Sequence, residues 1–184
     1  MVENFNILIT GSNGQLGMSL KDVSNSYPYI YFFKGKSELD ISNFSLLENF
    51  LIKNKINTVI NCAAYTNVND SEVNKELALL VNSKSVDNLS KLCCDLGIQL
   101  IHISTDYVFD GKKDSPYCEN NLSNPINFYG YSKLKGEENI FRYDLNKSLI
   151  IRTSWLFSSY GNNFVKKIMK MIKSKSEFFV VKNE

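Results

Sequence analysis

Tyr129 and Lys133 stand four residues apart in Tyr129-Gly130-Tyr131-Ser132-Lys133, a spacing that places both on one face of a helix. A phenol beside an ammonium gives up its proton more readily than free tyrosine, whose pKa is about 10. The segment holds a second pair at the same spacing, Tyr131 and Lys135. Spacing alone does not choose between them. Far upstream lies a glycine-rich loop, Thr10-Gly11-Ser12-Asn13-Gly14-Gln15-Leu16-Gly17. It follows an apolar run and opens a helical one, so backbone and helix N-terminus can approach a pyrophosphate. The competing reading is a turn that only packs the first helix. A dinucleotide cradle followed by a phenol–amine pair points to carbonyl–alcohol redox chemistry.

Other residues fit the same chemistry, each with an ordinary alternative. Ser104 and Thr105 close an apolar run. Successive strand side chains point to opposite faces, so one of these hydroxyls could hydrogen-bond a carbonyl oxygen beside the phenol. Ala63 and Ala64 end another run; small residues there let a flat cofactor lie close, or simply pack the core. Lys34 and Lys36 stand where an acidic residue would favour a free ribose hydroxyl, which leans towards a 2′-phosphate; two solvated lysines are the alternative. Asp40 could contact an adenine or cap the next helix, as Ser42 could. Trp155, the only tryptophan, is a platform for a sugar or base, or a packing residue. His102, the only histidine, lies inside a strand and reads as core rather than catalyst. Cys62, Cys93, Cys94 and Cys118 lack zinc-type spacing and read as structural, so no metal site is expected.

These residues need elements to position them, and the pattern alternates strand and helix. Strands are expected at 5–10, 29–33, 58–62, 98–104, 148–153 and 178–181. Helices are expected at 15–23, 44–53, 72–96, 127–143 and 163–173. In the long helix Leu77, Leu80, Val81, Leu89, Leu92 and Leu96 should face inward, with Asp70 or Ser71 capping its start and Gly97 ending it. Such alternation predicts an α/β fold, a doubly wound parallel sheet with helices on both faces. The stretch 110–125 is the longest irregular piece and a candidate wall or lid.

The chain has 184 residues, 43% of them hydrophobic, with a formal net charge of +2. That length suits one dinucleotide-binding domain spanning 1–184. The charge is too small, and the basic residues too scattered, to argue for nucleic acid; the basic tail from Lys166 to Lys175 reads as a solvated helix face. No run is apolar enough to span a bilayer, and the N-terminus lacks a signal-peptide layout, so a cytoplasmic location is expected. A chain ending at Glu184 is expected to leave no room for a C-terminal lobe.

Taken together the motifs resemble the extended short-chain dehydrogenase/reductase superfamily and, more narrowly, the dTDP-4-dehydrorhamnose reductase family. The resemblance covers essentially the whole chain. It rests on the glycine loop, Asn61-Cys62-Ala63-Ala64-Tyr65-Thr66-Asn67-Val68, Ser104-Thr105-Asp106-Tyr107-Val108-Phe109, Tyr129 to Glu137, Arg152-Thr153-Ser154-Trp155 and Gly161-Asn162-Asn163-Phe164. It implies an NAD(P)-binding Rossmann fold and reduction of a dTDP-4-dehydro-6-deoxy sugar, dTDP-4-dehydro-L-rhamnose to dTDP-L-rhamnose, by NADPH or NADH. The family pattern assigns the catalytic pair to Tyr129 and Lys133, with Lys133 lowering the phenol's pKa, and the catalytic hydroxyl to Thr105. Its cofactor positions fall on Gly11, Asn13, Gly14, Gln15, Leu16, Gly17, Asp40, Ile41, Ala63, Ala64, Tyr65 and Thr66, besides the pair itself. Its substrate positions fall on Val68, Thr105, Asp106 and Trp155. Family members extend further, and the resemblance places the substrate lobe, a homodimer contact and a magnesium site of some members in that further part. Rival readings are a non-catalytic NADP-binding regulatory subunit and a nucleotide-sugar epimerase or dehydratase.

Overall fold

The structure, a computed structural model, describes residues 5–143 and 147–174. Five short runs rich in Ile, Leu, Val and Phe form one parallel sheet: β1 (Asn6–Thr10), β2 (Ile30–Lys34), β3 (Thr58–Asn61), β4 (Gln99–Thr105) and β5 (Ser148–Thr153). Their order is β2-β1-β3-β4-β5. The expected doubly wound α/β sheet is therefore present. The sixth expected strand, 178–181, lies outside the described residues.

Helices cover both faces. On one side α2 (Phe44–Lys53), α5 (Ser85–Leu96) and α6 (Phe128–Ile140) pack over the core. That core holds Leu8, Val59 and Leu100 from the strands and Leu47, Leu89 and Ile140 from the helices. On the other side α1 (Gln15–Ser24) lays Leu20 and Val23 beside Ile7, Ile9 and Ile60. Strand residues one position apart thus face opposite helical layers, as the pleat requires. No helix among the described residues is long and apolar enough to cross a membrane.

The helix expected over 72–96 is interrupted. It begins earlier, as α3 (Val68–Val73), because the Asn67 side chain accepts a bond from Asp70 N at 3.1 Å and takes the capping role from Asp70 and Ser71. It breaks at Asn74, whose Nδ2 donates to Asp70 Oδ1 at 3.0 Å, a local bond that competes with helix. Then come α4 (Lys75–Leu79), a π-helical turn (Leu80–Lys84) and α5, which ends at Gly97 as expected. The π-turn shifts the phase. Leu89 and Leu92 are buried, but Leu77, Leu80 and Leu96 are exposed, and Cys93 points in while Cys94 points out.

Two more expectations change. Neither Asp40 nor Ser42 caps α2; Asn43 does, accepting from Leu46 N at 3.1 Å. Asp40 instead accepts from Ser42 N and Oγ at 2.9 and 2.7 Å. The loop 110–125 is not a wall of the cleft described below. Asp110 accepts from the Tyr117 hydroxyl at 2.7 Å, and Phe109 stacks on Tyr117 at 4.3 Å between ring centroids. These contacts fold the loop onto itself, and Arg152 of β5 anchors it through Glu119 O and Ser123 Oγ, both at 3.4 Å, outside the cleft lining. The last described element is α7 (Phe164–Ser174), on which Lys167, Lys170 and Lys173 are exposed as expected of this tail, while Lys166 is half-buried and donates to Ser159 O and Gly161 O; Lys175 lies outside the described residues.

Candidate active site

β1 leads to β2 on one side and β3 leads to β4 on the other, so the strand order reverses between β1 and β3. Ligands of open α/β sheets bind outside the carboxyl ends of strands at such a switch point. A cleft of about 1150 Å³ opens there. That exceeds the roughly 300–1,000 Å³ of ordinary small-molecule pockets and leaves room for a dinucleotide and a second molecule.

The glycine loop forms one end. Gly11 has φ +61°, and a Cβ built on it would fall 2.6 Å from Ala63 N. Only glycine allows the ends of β1 and β3 to approach this closely. The first N–H groups of α1 lack intrahelical acceptors and face the same space. A backbone cradle at a helix N-terminus, beside Ala63 and Ala64, fits the phosphates of a dinucleotide. Gly11, Asn13, Gly14, Gln15, Leu16, Gly17, Asp40, Ile41, Ala63, Ala64, Tyr65 and Thr66 all line the cleft. Of the two lysines after β2, Lys34 pairs with Glu38 at 3.3 Å, while Lys36 reaches the cleft.

The other end is built from β4 and α6. The Asn127 side chain caps α6, accepting from Gly130 N at 2.8 Å. Tyr129 and Lys133 face inward: Tyr129 is half-buried in the cleft and Lys133 is 1% exposed. The rival pair lies on the surface, with Tyr131 40% exposed. Lys135 is spent on Glu138 at 2.6 Å. Of the two pairs, Tyr129 and Lys133 line the cleft.

The two hydroxyls ending β4 also separate. Ser104 Oγ donates to Glu137 Oε1 at 2.5 Å, whereas Thr105 hydrogen-bonds with the Tyr129 phenol. Burial pushes the Tyr129 phenol above its ordinary value against the opposing hydrogen bond with Thr105, and the negative charge of Asp106 adds to the rise. This corrects the expectation that Lys133 lowers the phenol's pKa. Lys133 Nζ donates to Ile103 O at 2.7 Å and lies 3.2 Å from His102 Nε2. Burial lowers the Lys133 amine to about 8, partly opposed by the Glu137 charge. Val68, Asp106 and Trp155 line the mouth. Trp155 has φ +51°, a strained conformation for a bulky residue that sites of ligand contact often hold, and it meets Phe164 edge-on at 4.7 Å.

Sequence reasoning missed the residues that hold this end in place. Asn82 in the π-turn is buried; it accepts from Tyr65 N at 2.8 Å and donates to Tyr65 O and Ser132 Oγ, both at 2.9 Å. One side chain thus ties the cleft-lining segment after β3 to α6, at the sort of π-turn that recurs in functional sites. A side chain on Gly136 would meet Asn82 O at 2.2 Å, so α6 can cross the π-turn only there. Glu137 is fully buried and receives Arg152 Nη2 at 2.6 Å and Nε at 3.0 Å. Asn163 donates to Gln15 Oε1 at 2.9 Å, docking the segment after β5 onto the glycine-loop helix. Cys62 lines the cleft, but burial pushes its thiol up to about 12, so it is no thiolate nucleophile at neutral pH. Among the described residues no cluster of three or more His, Cys, Asp or Glu side chains could hold a metal ion.

The sequence profile of the family described as RmlD substrate binding domain matches residues 5–184. The chain belongs to that family. Among relatives, the dTDP-4-dehydrorhamnose reductase of Aggregatibacter actinomycetemcomitans is 40% identical over 97% of this chain and 60% of its own length. The dTDP-4-keto-6-deoxy-D-glucose reductase of Streptomyces niveus is 34% identical over 89% of this chain and 57% of its own. Among solved structures, dTDP-4-dehydrorhamnose reductase from Bacillus anthracis, in complex with NADP, superposes with a TM-score of 0.91. It is 38% identical and covers 95% of this chain and 62% of its own. This RmlD-family chain therefore spans about 60% of the length of the relatives it matches.

Proposed function

We propose that this chain carries the cofactor site and the proton-transfer site of an NADPH-dependent reductase acting on a dTDP-4-dehydro-6-deoxyhexose. The observation that carries the reading is convergence. Thr105, Tyr129 and Lys133 meet at the end of β4 in the same cleft as the glycine cradle. Bound in that cleft, NADPH supplies the hydride for the C4 carbonyl. Tyr129 is a neutral phenol at pH 7, as an ordinary tyrosine with pKa about 10 is, and burial pushes its pKa further up; a neutral phenol is the form that donates a proton to a developing alkoxide. Thr105, whose single hydroxyl proton goes to Asp106 Oδ1 at 3.1 Å in this structure, turns it to the same oxygen. Lys133 holds the nicotinamide ribose. Val68, Asp106 and Trp155 face the sugar nucleotide. Lys36 beside the expected ribose position supports NADPH over NADH, as does the NADP held by the Bacillus anthracis relative.

The test is a fluorescence titration with NADPH, followed by addition of the dTDP-linked keto-sugar. The expected result is binding, then oxidation of one NADPH for each ketone. Binding without oxidation would leave a non-catalytic NADP-binding protein and overturn the reductase reading. Failure to bind NADPH would overturn the cofactor site as well.

A further inference from the structure

His102 plays no part in the roles assigned above, yet it touches one of them. It is fully buried and belongs to a row of buried polar side chains crossing three strands and ending on α6. Thr10 Oγ1 donates to Asn61 Oδ1 at 2.7 Å, Asn61 Nδ2 lies 3.0 Å from His102 Nδ1, and His102 Nε2 lies 3.2 Å from Lys133 Nζ. Thr10, Asn61, His102 and Lys133 are each no more than 1% exposed.

The proton positions in this row follow from one fixed donor. The backbone N–H of Ala63 points at Asn61 Oδ1 at 3.2 Å. A backbone N–H can only donate, so the Asn61 oxygen must stay on that side and its NH₂ must face His102. Nδ1 then has to be the acceptor, which leaves the ring proton on Nε2. That N–H aims at Lys133. An ammonium has three N–H donors and no lone pair, so against Nε2–H it makes a contact between two donors. A neutral amine has two N–H groups and one lone pair. One N–H serves Ile103 O at 2.7 Å, the lone pair accepts from Nε2–H, and the second N–H remains for the cleft.

We infer that Asn61 locks His102 in its Nε2–H tautomer, and that this N–H makes the neutral amine the form of Lys133 that its buried surroundings satisfy. His102 is thus a positioning residue acting through Lys133. The charged and titratable groups around Lys133 do not cancel the effect. The Glu137 charge favours the ammonium but is committed to Arg152 and Ser104. The Cys62 thiol is neutral at ordinary pH. Tyr129 is a neutral phenol. Burial acts in the same direction as His102, and Lys133 titrates at about 8. On the reductase reading, a lysine that can hold either form can take or release a proton beside the cofactor, which a permanently charged one cannot.

The test does not depend on that reading. His102 is the only histidine, so its ring nitrogens are assigned without ambiguity in long-range ¹H–¹⁵N spectra of the ligand-free protein. The expected spectrum is the neutral Nε2–H tautomer from pH 6 to 9, with a step in the ring shifts near pH 8 as Lys133 titrates. An imidazolium at pH 6, the Nδ1–H tautomer, or ring shifts that ignore pH across this range would overturn the inference. Asn61→Asp supplies a second arm. An aspartate still accepts from Ala63 N but cannot donate to Nδ1. The ring should switch to Nδ1–H, and the Lys133 step should rise by about one pH unit or more. A folded Asn61→Asp protein that keeps the Nε2–H tautomer would contradict the lock.

Discussion

Helix α6 carries tyrosine and lysine at the same spacing twice, and its two faces put them to opposite use. On the inner face Tyr129 reaches Thr105, Lys133 is buried against Ile103 and His102, and Glu137, one turn further on, is fully buried on Arg152. On the outer face Tyr131 is open, and Lys135 pairs with Glu138, both of them partly solvated. Residue type and spacing are the same. What differs is what lies opposite: β4 and the π-turn on one side, water on the other. Burial shifts pKa values, strips water from charges and forces polar atoms to find fixed partners. On the proposed function, the chemistry therefore falls to the inner face.

That contrast can be broken in several ways. The largest effect should come from the two phenols. Tyr129→Phe is expected to slow turnover by about 10²–10⁴-fold, whereas Tyr131→Phe should leave it unchanged, as steady-state NADPH oxidation would show. Next come the two carboxylates. Glu137→Gln leaves Arg152 without its buried partner and should cost about 3 kcal/mol in chemical denaturation. Glu138→Gln removes only a solvated i,i+3 pair and should cost less than about 0.5 kcal/mol.

The two lysines differ in their pH signature. Unfolded lysine keeps its proton to about pH 10.4, while folded Lys133 releases it at about 8. From pH 8 to 9 the unfolded state therefore binds more protons, and the Lys133 contribution to stability rises with pH by about 1 kcal/mol. The Cys62 and Cys93 thiols, pushed up to about 12 by burial, act the other way. Their effect is common to wild type and variant and cancels in the difference. Lys133→Met should thus show a stability difference from wild type that changes by about 1 kcal/mol across this window. The smallest effect is expected of Lys135→Met. Its raised pKa, caused first by the hydrogen bond to Glu138, is lost only above that window, so its difference from wild type should stay flat.

The sheet was legible because each strand is a short apolar run closed by polar or small residues, and the glycine loop sits where β1 must end. The cleft-lining positions around the glycine loop were legible for the same reason, since strand ends at a switch point define the cleft. The register of the Tyr/Lys pair was not legible from periodicity. Both pairs satisfy i,i+4, and the deciding contacts come from Thr105, twenty-four positions before Tyr129, and from β4. The break at Asn74 and the π-turn were hidden because leucines continue at helical spacing through them. Leu77 and Val81 prove to line the cleft instead of filling the core. Asn61, Asn82 and the Glu137–Arg152 pair were silent because isolated polar residues reveal their partners only once the chain is folded.

On the proposed function, hydride passes in this cleft to a sugar carbonyl whose oxygen is protonated by the inner face of α6. The most direct measurement follows the label from NADPH deuterated at the transferable C4 position, using the dTDP-linked 4-keto-6-deoxyhexose and NMR of the product. Wild type and Tyr131→Phe should both place deuterium on C4 of the hexose, with Tyr129→Phe doing so far more slowly. Deuterium at another carbon, or equal rates for all three proteins, would contradict the claim.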